Sequence, residues 1–171
     1  MSVDAACQAD RHGGALGIRA VAMSDPAARP LLDALGEEYQ RRYGGNTELS
    51  RFPDSDFAPP DGCLLIAERD GRTVAGGAFR RWDADTAELK RVWTAADQRR
   101  RGHARRVLAA LEAEAVRRGY RRLVLNTGLR QPEAVGLYEA TGYEALGEGA
   151  LGELSYPYVA FAKLLPGRPA D

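Results

Sequence analysis

Gln98-Arg99-Arg100-Arg101-Gly102-His103-Ala104 lies between a β-friendly run and a helical one, and that position makes it a candidate phosphate cradle. The first backbone N–H groups of a helix have no partner within it, and the helix dipole adds partial positive charge there. An anion can satisfy both. Gly102 and Ala104 are small enough to let a pyrophosphate approach the backbone, and the arginines add counter-charge. The competing reading is a solvated, arginine-rich helix start. Against it, glycine at a helix start is costly unless something must come close. Thr86 to Trp93 has the spacing of the strand that must lead into the cradle. After it, Val107, Leu108, Leu111 and Ala115 share one face of the helix that must follow, and Gly119 ends that helix.

Arg99-x-x-Gly102-x-Ala104 between a strand and a helix resembles the (Q/R)xxGx(G/A) signature of the GNAT superfamily of acyl-CoA-dependent N-acyltransferases. Downstream, the strand-like run Arg122 to Thr127 is followed by Gln131 to Tyr143, similar to the family pattern N-x-x-A-x-x-x-Y-x-x-x-G-(F/Y). Gln131 stands where the family usually has Asn. The resemblance covers about Gly62 to Leu165. It implies an α/β (α+β) fold: a mixed, mostly antiparallel sheet with helices on both faces and a central parallel strand pair that splays open for the cofactor arm.

The resemblance also implies a division of labour. Acetyl-CoA would be the co-substrate, its pyrophosphate held by Arg99, Arg100, Arg101, Gly102, His103, Ala104 and Arg105, with backbone N–H groups from Arg101 to Arg106. Its pantetheine would pair with the edge of Val92, Trp93 and Thr94, with Asn126 and Gln131 as further polar contacts. Glu88 sits where one branch of the family carries its general base, acting directly or through a water; its other reading is an ion pair with Arg91 or Lys90. The N–H of Val92 would polarise the thioester carbonyl. Tyr138 would donate a proton to the departing thiolate; its other reading is helix packing. His103, at the motif's variable position, is expected to be partly exposed and not a base.

Composition bounds the alternatives. With 171 residues the chain is long enough for one domain with a sizeable core and no disulfides. Formal net charge is zero, from 24 basic and 24 acidic residues, which argues against a polyanion coat. A nucleic-acid-binding helix over Arg99 to Arg106 is disfavoured because Glu112 and Glu114 soon interrupt the charge. Cys7 and Cys63 do not form a metal-ligand spacing, so no metal is expected, and a reducing, cytoplasmic setting fits. No apolar run approaches the length of a membrane span, so no membrane partner is expected.

The remaining elements follow from periodicity. Residues 1–15 read as a mobile lead-in, 16–165 as the domain and 166–171 as a loose tail. Leu16 to Val21 reads as a strand. Asp25-Pro26 then starts a helix with Leu31, Leu32, Leu35 and Tyr39 on one face until Gly44-Gly45. Asn46 to Gly62 reads as a loop with at most a short turn of helix. Cys63 to Arg69 and Thr73 to Trp82 form a hairpin across Asp70-Gly71. Tyr143 to Leu146 and Tyr158 to Leu164 can form a closing antiparallel pair, whose edge could serve a homodimer. Glu37, Tyr39, Arg42, the Asn46 to Phe57 loop and Tyr156 to Tyr158 are expected to border the acceptor cleft. The expected reaction is direct acetyl transfer to a primary amine of a small molecule or peptide in a ternary complex. The alternative is a catalytically idle acyl-CoA-binding sensor.

Overall fold

The computed structural model describes residues 14–45, 47–129, 131–154 and 157–167. Nearly all of the expected lead-in, Asn46 and Tyr156 of the expected cleft border, and the last four residues of the tail lie outside that set. The chain runs β1 (Gly17–Ala20), α1 (Arg29–Tyr43), α2 (Thr47–Ser50), β2 (Cys63–Arg69), β3 (Arg72–Arg81), β4 (Thr86–Thr94), α3 (His103–Arg117), β5 (Arg122–Gly128), α4 (Pro132–Ala140), β6 (Glu144–Ala145) and β7 (Tyr158–Leu164). Short 3-10 turns at Pro26–Ala28 and Asp54–Phe57 add to the helical content. The long loop is therefore more ordered than expected, holding two short helical pieces. Asp25 caps the first of the 3-10 turns by accepting from the Ala27 N–H at 2.9 Å.

All seven strands form one mixed sheet in the order β1-β2-β3-β4-β5-β7-β6. Neighbours pair antiparallel except β4 and β5, which are parallel. Strand alternation sends Cys63, Leu65, Ala67, Ala75 and Phe79 into a core with Val107, Leu108 and Leu111 of α3 and Tyr138 of α4. Leu64 and Ala78 instead join Leu31 and Leu35 of α1. Helices thus cover both faces. Such a sandwich needs thin spots, and β3 supplies one at Gly76-Gly77. A Cβ on Gly76 would lie 2.6 Å from Leu31 Cδ1, and one on Gly77 2.9 Å from Leu111 Cδ1. The glycines weaken the strand locally but let α1 and α3 close on it from opposite sides.

Two features of β4 shape the site. Pairing with β5 covers only Thr86, Ala87 and Glu88, opposite Arg122, Leu123 and Val124. Beyond Glu88 the two strands part. Then β4 carries one extra residue against β3: Gly76 faces Trp93 while Ala78 faces Lys90, which leaves Arg91 and Val92 opposite Gly77. Arg91 adopts φ 59°, a left-handed conformation that costs an L-residue of this size on the order of 1 kcal/mol. Its side chain offsets that cost. The guanidinium donates to the Leu49 carbonyl at 2.8 Å, contacts Met23 Sδ at 3.0 Å and lies 4.4 Å from the Phe57 ring centroid. The bulge is therefore tethered to the α2 segment.

At the far edge, β7 lies inside the sheet and β6 is only two residues long. The exposed edge offered there is accordingly shorter than the closing pair expected from the sequence. No helix among the described residues is long and apolar enough to cross a membrane.

Candidate active site

Where β4 and β5 separate, a cavity of about 750 Å³ opens. Val92, the second residue of the bulge, and Asn126, from β5, line opposite sides of the gap. Gln131 and Tyr138 line it from the start and the body of α4. Thr127 Oγ1 donates to Gln131 Oε1 at 3.2 Å, which fixes the carboxamide that stands in place of the family's usual Asn. Trp93 and Thr94 follow on the same strand, paired to Gly76 and Ala75 of β3. Neither pairs with β5, whose ladder has already ended.

Tyr138 is 6% exposed and packed in a T-shaped contact with Tyr143, ring centroids 5.5 Å apart, and a tilted one with Phe161. Burial pushes its phenol well above the ordinary tyrosine range, so the hydroxyl stays protonated throughout the physiological window. It is a dependable proton donor but a weaker acid than a free phenol. Packing and lining the cavity are both true of this side chain; the two sequence readings do not exclude one another.

The cradle is a separate, open surface. Arg99, Arg100, Arg101 and Arg105 are exposed, and none of the segment lines the cavity. Gly102 caps α3 with φ 80° and ψ 10°, a left-handed backbone that favours glycine whatever approaches it. A Cβ there would meet nothing within 4 Å, which means the small residue also faces open space. The first helical hydrogen bond runs from the Arg106 N–H to the Gly102 carbonyl, leaving the N–H groups before it outside the helical ladder. This is the chemistry an entering pyrophosphate needs, and the residues present fit one. His103 departs from expectation: it is 2% exposed, with Nε2 3.3 Å from Gln98 Oε1. Its ring holds the loop before α3 and turns away from solvent because Val107 and Leu108 of the same face draw that side of the helix inward.

Glu88 also departs from expectation. It is 2% exposed and does not line the cavity. One oxygen accepts from Arg80 Nη1 at 3.2 Å, and the other lies 3.7 Å from Lys90 Nζ. Arg80 in turn meets Asp56 at 3.2 Å and stacks 4.1 Å from the Phe52 centroid. A base acting directly on the acceptor needs an approachable carboxylate, and this one stands behind the wall between two cations. Of its two expected partners, Lys90 is found, while Arg91 is engaged elsewhere and Arg80 takes its place.

The rest of the cavity wall comes from α1 and the segment after it. Tyr39, Arg42, Leu49, Phe52 and Phe57 line it, as expected; Glu37 and Tyr158 do not. The Tyr158 hydroxyl donates instead to the Gly152 carbonyl. Sequence reasoning missed Tyr43, Lys90 and Gly128. The Tyr43 hydroxyl lies so close over Gly128 that a Cβ on that residue would overlap it. The end of α1 is thereby seated on β5 across the gap. An aromatic at a helix end beside Gly44-Gly45 was the only signal, and nothing local distinguished it from a packing residue.

Residues 11–143 match the family model described as the Acetyltransferase (GNAT) family. The chain is 33% identical over 121 residues to an IAA acetyltransferase from Azospirillum brasilense, a match covering 67% of this chain and 79% of that protein. It is 38% identical over 78 residues to the uncharacterized N-acetyltransferase YsnE of Bacillus subtilis, a match covering 44% of this chain and only 52% of that one. Among solved structures, a GNAT-family acetyltransferase from Staphylococcus aureus superposes with a TM-score of 0.74 at 14% identity, covering 89% of this chain and 100% of that one. One from Elizabethkingia anophelis with acetyl-CoA bound gives 0.66 at 16%, covering 88% and 98%. At these identities the two structures speak to the fold.

Proposed function

Because the chain belongs to the GNAT acetyltransferase family, we propose that it transfers acetyl from acetyl-CoA directly to a primary amine of a small molecule or peptide in a ternary complex. The observation that carries this is the parting of β4 and β5 after Glu88, which opens a cavity between the bulge at Arg91-Val92 and Tyr138 of α4. Acetyl-CoA would supply the activated thioester.

The backbone around Gly102 binds the pyrophosphate end, and the unpaired stretch of β4 with Asn126 and Gln131 aligns the arm. The Val92 N–H donates to the oxygen that gains charge as the amine adds to the carbonyl. A new C–N bond forms as the C–S bond breaks, and the Tyr138 hydroxyl gives its proton to the departing thiolate. The amine proton leaves to water in the cavity, and the Tyr138 oxygen regains a proton from the same water. Glu88, whose carboxylate stands behind the wall between Arg80 and Lys90, does not touch the acceptor. Cys63 takes no part as a nucleophile: it is buried among α3-facing residues, and burial pushes its thiol up to about 11.

The test is calorimetric titration with acetyl-CoA, followed by free-thiol release against a panel of amines. Binding with amine-dependent release is expected. Binding without release for any amine would favour the idle sensor instead.

A further inference from the structure

We infer that the acceptor is an amine that also carries a carboxylate, its anionic end received by Lys90 and its apolar body lying against Tyr39, Phe52 and Phe57. The inference rests on the acetyl-transfer reading above and gives it a substrate class. Arg41, Arg42, Lys90 and Arg91 all line the cavity, and among the described residues that line it there is no Asp or Glu. The carboxylates paired with Lys90 and Arg42 stand outside the lining. Glu88 is 3.7 Å from Lys90, and Glu38 and Glu133 approach Arg42 at 3.1 and 2.8 Å. The cavity therefore meets the positive side of each pair.

The four cations are not equivalent. Arg41 and Arg42 occupy the last turn of α1, where they also offset the carbonyl end of that helix. Arg91 is committed to the bulge through Leu49, Met23 and Phe57. Lys90 has neither task. Its Nζ stands 5.1 Å from the Phe52 centroid, and its side chain is 10% exposed. The ring face and the Glu88 carboxylate together fix where the ammonium lies. Glu88 is thus a positioning residue for Lys90, itself held by Arg80 and, through Arg80, by Asp56. In a partly dry wall one ammonium attracts a carboxylate and repels a second ammonium. Polyamines and other multiply cationic amines are the acceptors this wall rejects. Tyr39, Phe52 and Phe57, which line the same cavity, suit an apolar body attached to the same small molecule.

Probes that differ at the carboxyl group test this: phenylalanine, phenylalaninamide and phenethylamine, with spermidine as the cationic extreme. Each is titrated calorimetrically into the protein without an acetyl donor, and separately assayed for thiol release with acetyl-CoA. Phenylalanine should bind at least tenfold more tightly than its amide, with kcat/KM in the same order. Lys90→Met should bring the acid-to-amide ratio close to one, and Lys90→Arg should largely preserve it. Since Lys90→Met leaves Glu88 short of a cation, the double variant Glu88→Gln/Lys90→Met is run beside it; Arg80 keeps Asp56, and the ratio should fall in the same way. If the acid binds no better than the amide, or spermidine is preferred, the inference is overturned, and turnover of any of these amines leaves acetyl transfer standing. If acetyl-CoA neither binds nor releases thiol, both fall together.

Discussion

The two ends of the site are built by different means. The cradle at Gly102 is a backbone device: one glycine at φ 80°, a helix start and a run of exposed arginines, all contiguous in the chain. The cavity wall, the proposed acceptor site, is a side-chain device assembled from α1, the segment after it, β4 and β5, tied by Arg91 to Leu49 and by Tyr43 over Gly128. The first should fail through single backbone changes and otherwise tolerate substitution. The second should degrade in steps, because its parts support one another.

Gly102→Glu is the sharpest way to break that contrast. It places a carboxylate at the proposed pyrophosphate site and a side chain at a left-handed position, and acetyl-CoA affinity measured by calorimetry should fall by at least about a hundredfold. Undiminished affinity would remove the cradle from the account. Tyr138→Phe, at the boundary of the two ends, should lower kcat by roughly ten- to a hundredfold while the Kd for acetyl-CoA moves less than twofold. Since burial raises the phenol, the wild-type kcat should show no loss of a proton donor up to about pH 10, the ordinary phenol value. An alkaline fall well below that would assign the acid to another group.

Arg91→Gly asks whether the bulge is set by strand register or by its tether. Glycine relieves the left-handed strain, worth on the order of 1 kcal/mol. It also removes a charged hydrogen bond and a stacking contact, together about 2–4 kcal/mol. Denaturant unfolding should therefore show a net loss of roughly 1–3 kcal/mol, and the acceptor KM should rise more than that of acetyl-CoA. A neutral or stabilising outcome would mean that the register alone holds the bulge.

The last effect is silent at neutral pH and concerns Cys63, which belongs to neither end. Its thiol is raised from 9.0 to about 11 by burial, so the unfolded chain releases that proton first. The contribution to stability is complete below pH 9 and is lost as pH rises towards 11, by at most about 2–3 kcal/mol. Cys63→Ala should flatten the loss of thermal stability over that interval, whatever it costs at neutral pH. An unchanged slope would assign the alkaline loss to Tyr138 and Tyr143, whose phenols are raised for the same reason.

Local pattern carried much of this molecule. Alternation in Cys63–Arg69 and Arg72–Arg81, the Asp70-Gly71 turn, and the helical face of Val107, Leu108 and Leu111 were all legible, because strand and helix periods are properties of neighbouring residues. The glycine-capped helix start with its flanking arginines was legible for the same reason. The helical pieces at Thr47–Ser50 and Asp54–Phe57 were not, since each is a single turn that receives a hydrogen bond from a distant strand, from Arg91 to the Leu49 carbonyl and from Arg80 to Asp56. His103 was misjudged because a motif position says nothing of the face on which the helix is buried. Glu88 was placed on the right strand, but the cations that surround it come partly from β3, whose pairing register no local pattern reveals.

By itself the sequence determined the order of elements, the glycine-capped helix start and the presence of Tyr138 on the helix after β5. Those depend on backbone preferences and on periods of two and 3.6 residues. Only the tertiary structure decided where β4 and β5 part, that Arg91 is the bulge residue, and that Lys90 lines the cavity while Glu88 does not. These depend on register and on side chains from separated segments meeting in space, and register follows from the total packing of the sheet between its two helical layers.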